Sequence, residues 1–427
     1  MKPCLLAKSI NILRVNEHCG YPNGLLVDLK MVNPTSAVRY FRDGDPRPCF
    51  ELNSTADESM LFTSYFIGND WIAENQLAIQ VQPKLDNNSS KTDFLKMLEI
   101  AMSHPDIHQH TTKLYEINFD QKPIPIEQKE DFLTPLLVIQ FINILKAIVK
   151  KGLKKSYYTK RQNLSGKIKG KILVNDTIKK NHSKGQLFET NCQFEEFGIN
   201  NPENQLLKKA LEFCSRYLNG FKLKVAANDL NYVNVAFRDV NSSVNTKELS
   251  FMKPNPFYKE YAEGIRIAKL LLKRFGYNIN NTNYSDQILT PPFWIDMSLL
   301  FELYVLGLLK DKFKNKVKYH FTSNRNELDF LLNSEKYKMV VDAKYKPYYR
   351  SKGLKIEDVR QLSGYARISN VYFELGKKYP EAIDCLIIYP NNEDGFESLE
   401  NVDLFQTEVS KFEGFFKLGV KIPIQQQ

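Results

Sequence analysis

The sequence has no CxxC pair. Its six cysteines, Cys4, Cys19, Cys49, Cys192, Cys214 and Cys385, are scattered along 427 residues. That spacing excludes a zinc ribbon or a disulfide frame and suits small buried hydrophobes in a reducing compartment. No apolar run approaches the length of a membrane span, so no membrane partner is expected. Met1 to Val15 holds only a four-residue apolar run without a small-residue cleavage pattern. A signal peptide is therefore not expected, and the protein is expected in the cytoplasm. Internal repeats are missing, and 43% hydrophobic with 12% aromatic residues exclude a disordered chain. A phosphate-binding loop is missing as well. Gly166-Lys-Ile-Lys-Gly170-Lys171-Ile172 has one residue too few between its glycines and Ile172 where Ser or Thr would bind Mg²⁺. Any nucleotide hydrolysis must then come from a partner. Histidine is also scarce; His104, His108 and His110 share a polar loop and read as surface residues rather than a transition-metal site.

Acidic residues are nearly absent from one stretch. Lys146 to Lys184 holds thirteen Lys or Arg against a single acid, Asp176, which exceeds the net charge of +10 of the whole chain. Tyr157 and Tyr158 are interleaved with it. Such a surface neutralises phosphates and loses affinity steeply with salt, although a solvated helix face has the same composition. Lys167, Lys169 and Lys171 are the candidate DNA contacts here, with Tyr365 further along the chain.

The length suits two or three domains. Residues 1–125 read as a β-rich domain, with strands at 62–67 and 71–81 and a helix at 93–102. Residues 126–284 read as a mainly helical, basic middle domain, with helical spacing at 132–150, 204–218 and 258–275. The Asn-rich segment 276–287 is the best linker candidate. Residues 285–427 read as an α/β domain with a mixed central sheet. It contains an apolar helix at 297–313, a hairpin of 327–332 and 337–345, a helix at 356–369 and a buried strand at 382–389.

The hairpin carries the chemistry. Side chains two apart on a strand share a face, so Asp342 joins Lys344 and Glu327 joins Asp329. A turn at 333–336 sets Glu327 opposite Asp342 and Asp329 opposite Val340, with all four side chains on one face. Acids crowded beside a lysine call for a cation. Mg²⁺ takes hard oxygen ligands and keeps several waters, which suits two carboxylates and a DNA phosphate; Mn²⁺ is the alternative. A short Asp…Asp-x-Lys pattern is more often a solvent-facing hairpin, but neighbours change the odds. Gln361 and Tyr365 lie four apart on the following helix and share a face. Glu302 interrupts the apolar face of the preceding one, where an ionised carboxylate requires a partner.

These pieces, in this order, resemble the McrC family, the nuclease subunits of modification-dependent McrBC restriction systems. The matching segments are Leu77–Lys84, Phe94–Glu99, Leu164–Ile172, Asn201–Leu207, Met297–Glu302, Glu327–Asp329, Val341–Tyr345, Gln361–Tyr365 and Leu386–Pro390. The resemblance implies a C-terminal PD-(D/E)xK nuclease domain, with Asp329, Asp342 and Lys344 as catalytic residues and Glu302 and Gln361 as auxiliary ones. Asp329 and Asp342 would bind the metal, and Leu328 replaces the proline of the signature. The resemblance also implies double-stranded DNA as substrate and an AAA+ GTPase ring of the McrB type as partner, which alone would bind GTP. Cutting both strands calls for two such subunits in the active assembly. The competing readings are a stand-alone Mg²⁺ nuclease of the repair type and a non-catalytic adaptor that binds DNA or activates the ring.

Overall fold

The computed structural model describes the chain except residues 1–10, 21–23, 28–35, 43, 56–57, 86–90, 128–129, 222–226, 244–258, 277–286, 324–325, 347–348, 350–352, 407 and 426–427. The expected linker thus falls almost wholly outside the described residues. Two compact units are present: 1–136 together with 280–427, and 137–279.

The first unit is a mixed α/β structure with several sheets. One sheet runs in the order Asn11–Asn16, Leu77–Gln82, Phe66–Ala73, Phe293–Asp296 and Tyr115–Ile117. Its fourth strand comes from far down the chain and joins two strands that do not pair with each other. Gly68 leaves no room for a Cβ against the Phe293 carbonyl, so the close pairing there requires glycine. Trp294, 1% exposed, donates from Nε1 to Asp70 Oδ2 at 2.9 Å. An antiparallel sheet of Leu25–Leu26, Ser59–Thr63, Pro48–Ser54 and Ala37–Tyr40 packs its apolar face on Phe66, Ile79, Val81 and Trp294.

Directly after the inserted strand, Asp296 caps the helix Met297–Phe313 by accepting from Ser298 N and Leu299 N. This helix is apolar nearly all round and is correspondingly buried. Gly307 lets it approach the helix Phe94–Met102: a Cβ would lie 3.0 Å from Ile100 O. The second large sheet follows in the order Val317–Ser323, Asn326–Asn333, Lys338–Ala343, Asp384–Pro390 and Phe415–Val420. Its first three strands are antiparallel and its last two join in parallel. The segment expected as one helix at 356–369 is two, Ile356–Tyr365 and Ser369–Leu375, and both pack on this sheet.

The second unit combines helices with a three-stranded sheet of Ser156–Ser165, Glu189–Gly198 and Lys171–Ile172. The helix Leu133–Lys151 corrects one expectation. It is long and apolar enough to cross a membrane by length and composition, but 78% of its most apolar 18-residue stretch is buried inside the protein, as in a core helix. Cys49, Cys192, Cys214 and Cys385 are buried and free.

Candidate active site

The hairpin that brings the acids together is closed by Ser334. Tyr337 N donates to Ser334 Oγ at 3.0 Å, and Ser334 N donates to Tyr337 O at 2.8 Å. The four-residue loop is therefore 334–337, one position later than expected, and Asn333 pairs with Lys338. The pairs Phe330↔Val341 and Leu331↔Val340 follow, so the next position sets Asp329, not Glu327, across from Asp342. The displacement moves the register by two, which leaves the faces unchanged because side chains alternate. On the other side of Asp329 the ladder pairs Tyr319↔Phe330 and Phe321↔Leu328. His320 lies between them in unbroken register, but the ladder skips it, and its φ is +49°. His320, Asp329 and Asp342 thus form one row across three strands.

Asp342 is 2% exposed. Lys344 Nζ lies 2.9 Å from Asp342 Oδ2 as an ion pair. Asp329 Oδ2 accepts from Ala343 N at 2.9 Å. Burial pushes the Asp329 carboxyl well above the usual range, and the charges of Asp342 and Glu302 push it further. Burial raises Asp342 too, against the pull of Lys344. Burial works to lower Lys344, but Asp342 and Asp329 outweigh it and hold the ammonium charged. Lys344 Nζ also donates to Gln361 Oε1 at 3.2 Å, and Gln361 Nε2 donates to Tyr365 Oη at 3.0 Å. The four-residue spacing on the helix therefore delivers Gln361 to the lysine and Tyr365 to Gln361.

Glu302 reaches the site from its helix, with Oε1 2.8 Å from His320 Nε2. Glu327, more exposed, places Oε1 2.8 Å from His320 Nδ1. Burial lowers the imidazole pKa, but the bond and charge of Glu302 and the charge of Glu327 raise it overall. On the far side of Lys344, the Tyr345 phenol donates to buried Glu17 Oε1 at 2.8 Å, and Lys84 Nζ donates to Tyr345 O at 2.9 Å. Burial pushes Glu17 up and Lys84 down to about 8. The motif ending in Lys84 thereby ties the first sheet to the segment leaving Lys344.

A buried carboxylate and a half-buried one that repel each other fit a divalent cation. Among the described residues no group of three or more His, Cys, Asp or Glu side chains is disposed as a metal cage. A cation here would rest on Asp329 and Asp342 with its remaining positions open. His320, Glu17 and Tyr345 were not singled out from the sequence. His320 was within reach, because extending the register to the preceding strand aligns it with Asp329.

Lys167, Lys169 and Lys171 lie in the second unit and are exposed, with Lys169 Nζ 4.2 Å over the Phe194 ring. Exposed Tyr157 packs beside Phe197, near a cleft of about 800 Å³ that Lys160 and Arg161 also line. The surplus of positive charge is smaller in space than along the chain. Lys146, Lys151, Lys154 and Lys160 are ion-paired to Asp229, Glu260, Glu203 and Glu196, and Lys180 to Asp176. Tyr365 belongs to the first unit, beside the acids.

The profile of the McrBC 5-methylcytosine restriction system component family matches residues 71–390. Among solved structures, the chain is similar to one described as a refined half-complex from the tetradecameric assembly of Thermococcus gammatolerans McrB AAA+ hexamers with bound McrC. The identity is 15% and the TM-score 0.38, over 87% of this chain and 80% of that one. A second is the cryo-EM structure of the Thermococcus gammatolerans McrBC complex, at 15% identity and a TM-score of 0.29, over 72% and 89%. No curated protein matches the sequence.

Proposed function

The chain belongs to the McrBC 5-methylcytosine restriction system component family, and from that premise we propose that it is the DNA-cutting subunit of such a system, a PD-(D/E)xK endonuclease that uses Mg²⁺. The observation that carries this reading is the buried Asp342 carboxylate, across from Asp329 and with its Oδ2 2.9 Å from Lys344 Nζ. Asp329 and Asp342 would hold the ion, with Mn²⁺ able to replace Mg²⁺. When bound, the ion supplies charge that polarises the phosphodiester and acidifies the attacking water.

The remaining work falls to the chain itself. Lys344, held charged by the two acids, faces the negative charge that grows on the phosphoryl oxygens in the transition state. Gln361 orients that ammonium, and Tyr365 orients Gln361. The Ala343 amide fixes the rotamer of Asp329. Glu302 adds a third carboxylate beside the pair. Lys167, Lys169, Lys171 and Tyr365 are assigned to the phosphates of double-stranded DNA.

The partner, on this reading, is an AAA+ GTPase ring; the Thermococcus gammatolerans half-complex is described as McrB AAA+ hexamers with bound McrC. GTP belongs to that ring. Two subunits act on one duplex, in the cytoplasm. The test is plasmid cleavage in Mg²⁺ by the wild type and Asp342→Ala, with and without a co-purified GTPase partner and GTP. Cleavage that needs partner and GTP, and is lost in the variant, is the expected result. Cleavage by the isolated chain would replace it with a stand-alone nuclease, and no cleavage in any condition would leave a non-catalytic adaptor.

A further inference from the structure

We propose that His320 is a positioning residue of this site, clamping Glu302 beside Asp329 by bridging it to Glu327; the proposal rests on the nuclease reading above. The imidazole has an acceptor at each nitrogen, Glu302 Oε1 on Nε2 and Glu327 Oε1 on Nδ1, both at 2.8 Å. A neutral ring donates from only one nitrogen, so two carboxylate partners call for the protonated form, which donates from both. The other groups that face it are Asp329 across the ladder, Lys113 and His110 from the 3₁₀ segment Pro105–Lys113, and Tyr319.

Glu302, Asp329 and Asp342 come from three elements, and the charge of Glu302 pushes both aspartate carboxyls upward, so the three acids repel. Unrestrained, Glu302 would turn toward water. A cation on a rigid mount is what holds it, and the ring is rigid: Tyr319 stacks on it at 3.9 Å, and His110 packs edge-on against Tyr319 at 4.6 Å.

The backbone supports a side-chain role. A φ of +49° is uncommon for any residue but glycine, although His shares with Asn and Asp a greater tolerance of it, and such conformations gather at functional sites. Glycine would hold that conformation without strain. Histidine gives up the easier backbone, and what it adds is the imidazole.

That contrast makes the test. His320→Gly and His320→Asn are compared with wild type and Asp342→Ala in the assembled complex, by kcat and KM for plasmid cleavage and by thermal melting. The glycine variant is expected to melt at or above wild type while kcat falls about 10- to 100-fold, the range seen when supporting groups around a site are removed, with KM nearly unchanged. The asparagine variant, which tolerates the backbone and offers one donor, is expected between the two. A glycine variant that cleaves like wild type overturns the proposal, because a purely structural role predicts that result. If the glycine variant fails to fold, a folded asparagine variant with wild-type kcat overturns it instead. A wild type that does not cleave overturns the nuclease reading itself and the role of His320 with it.

Discussion

Asp329 and Asp342 face each other on neighbouring strands, and each charge makes the other harder to keep. In metal-free buffer this arrangement costs stability, and the sign follows from linkage. A folded-state pKa raised above the ordinary carboxylate value means that the folded protein holds its proton where the unfolded chain has lost it. Stability therefore declines as pH rises from the ordinary carboxylate range through the raised value. Asp329→Asn still accepts from the Ala343 amide but has no charge to lose. It is expected to match wild type at acidic pH and to melt a few degrees higher at neutral pH in chelator, a gap that opens through that window. Adding Mg²⁺ is expected to raise the melting temperature of wild type and not of the variant. Equal melting curves across the pH range would contradict this account. Much of the site was legible residue by residue: the x-Lys spacing after Asp342 and the four-residue step from Gln361 to Tyr365 are local. His320 was missed because the strand that carries it, Val317–Ser323, was not read. Glu17 was hidden because its partner, Tyr345, lies 328 residues away.

Among the elements, the helix Met297–Phe313 does the most positioning. It begins at a buried Asp cap, carries Glu302 to the acids, and rests on Phe94–Met102 at Gly307. Gly307→Val is expected to destabilise by about 1–3 kcal/mol, the usual cost of overpacking a tight contact. It is also expected to reduce cleavage by shifting Glu302, while Gly276→Val, whose Cβ meets nothing within 4 Å, is not. Denaturant midpoints and cleavage rates of the two variants check both parts. Long amphipathic or apolar helices were readable because their periodicity extends over many residues. The strand Phe293–Asp296 was not read: it is four residues long and buried at every one, so it has no alternation to reveal it. The hairpin was recognised, but its register was not, because Ser334 rather than Asn333 closes the turn.

For the molecule as a whole, contact across the length of the chain outweighs order along it. The first sheet is completed by a strand that directly precedes the site helix, so the segment 285–427 leans on residues of the first 125. Expressed alone, it would expose Phe293, Trp294 and Ile295, which are buried in the intact chain. The fragment is expected to aggregate or lack dispersed amide signals in NMR spectra, whereas the full chain melts cooperatively. A soluble, cooperatively melting fragment would show that the sheet is not needed. Composition and motif order pointed to a mixed α/β protein with a C-terminal hairpin of acids, but they do not report which strands close a sheet.

Inserting that strand so late also sets a schedule for biosynthesis. The ribosome must add about 220 residues after Ala73 before Phe293 emerges, roughly 10–40 s at ordinary elongation rates. Throughout that interval the hydrogen-bonding edge of Phe66–Ala73 that later receives Phe293–Asp296 waits beside Gly68 without its final neighbour, open to any extended segment nearby. A nascent chain of this design benefits from a chaperone on its first third until its last third arrives.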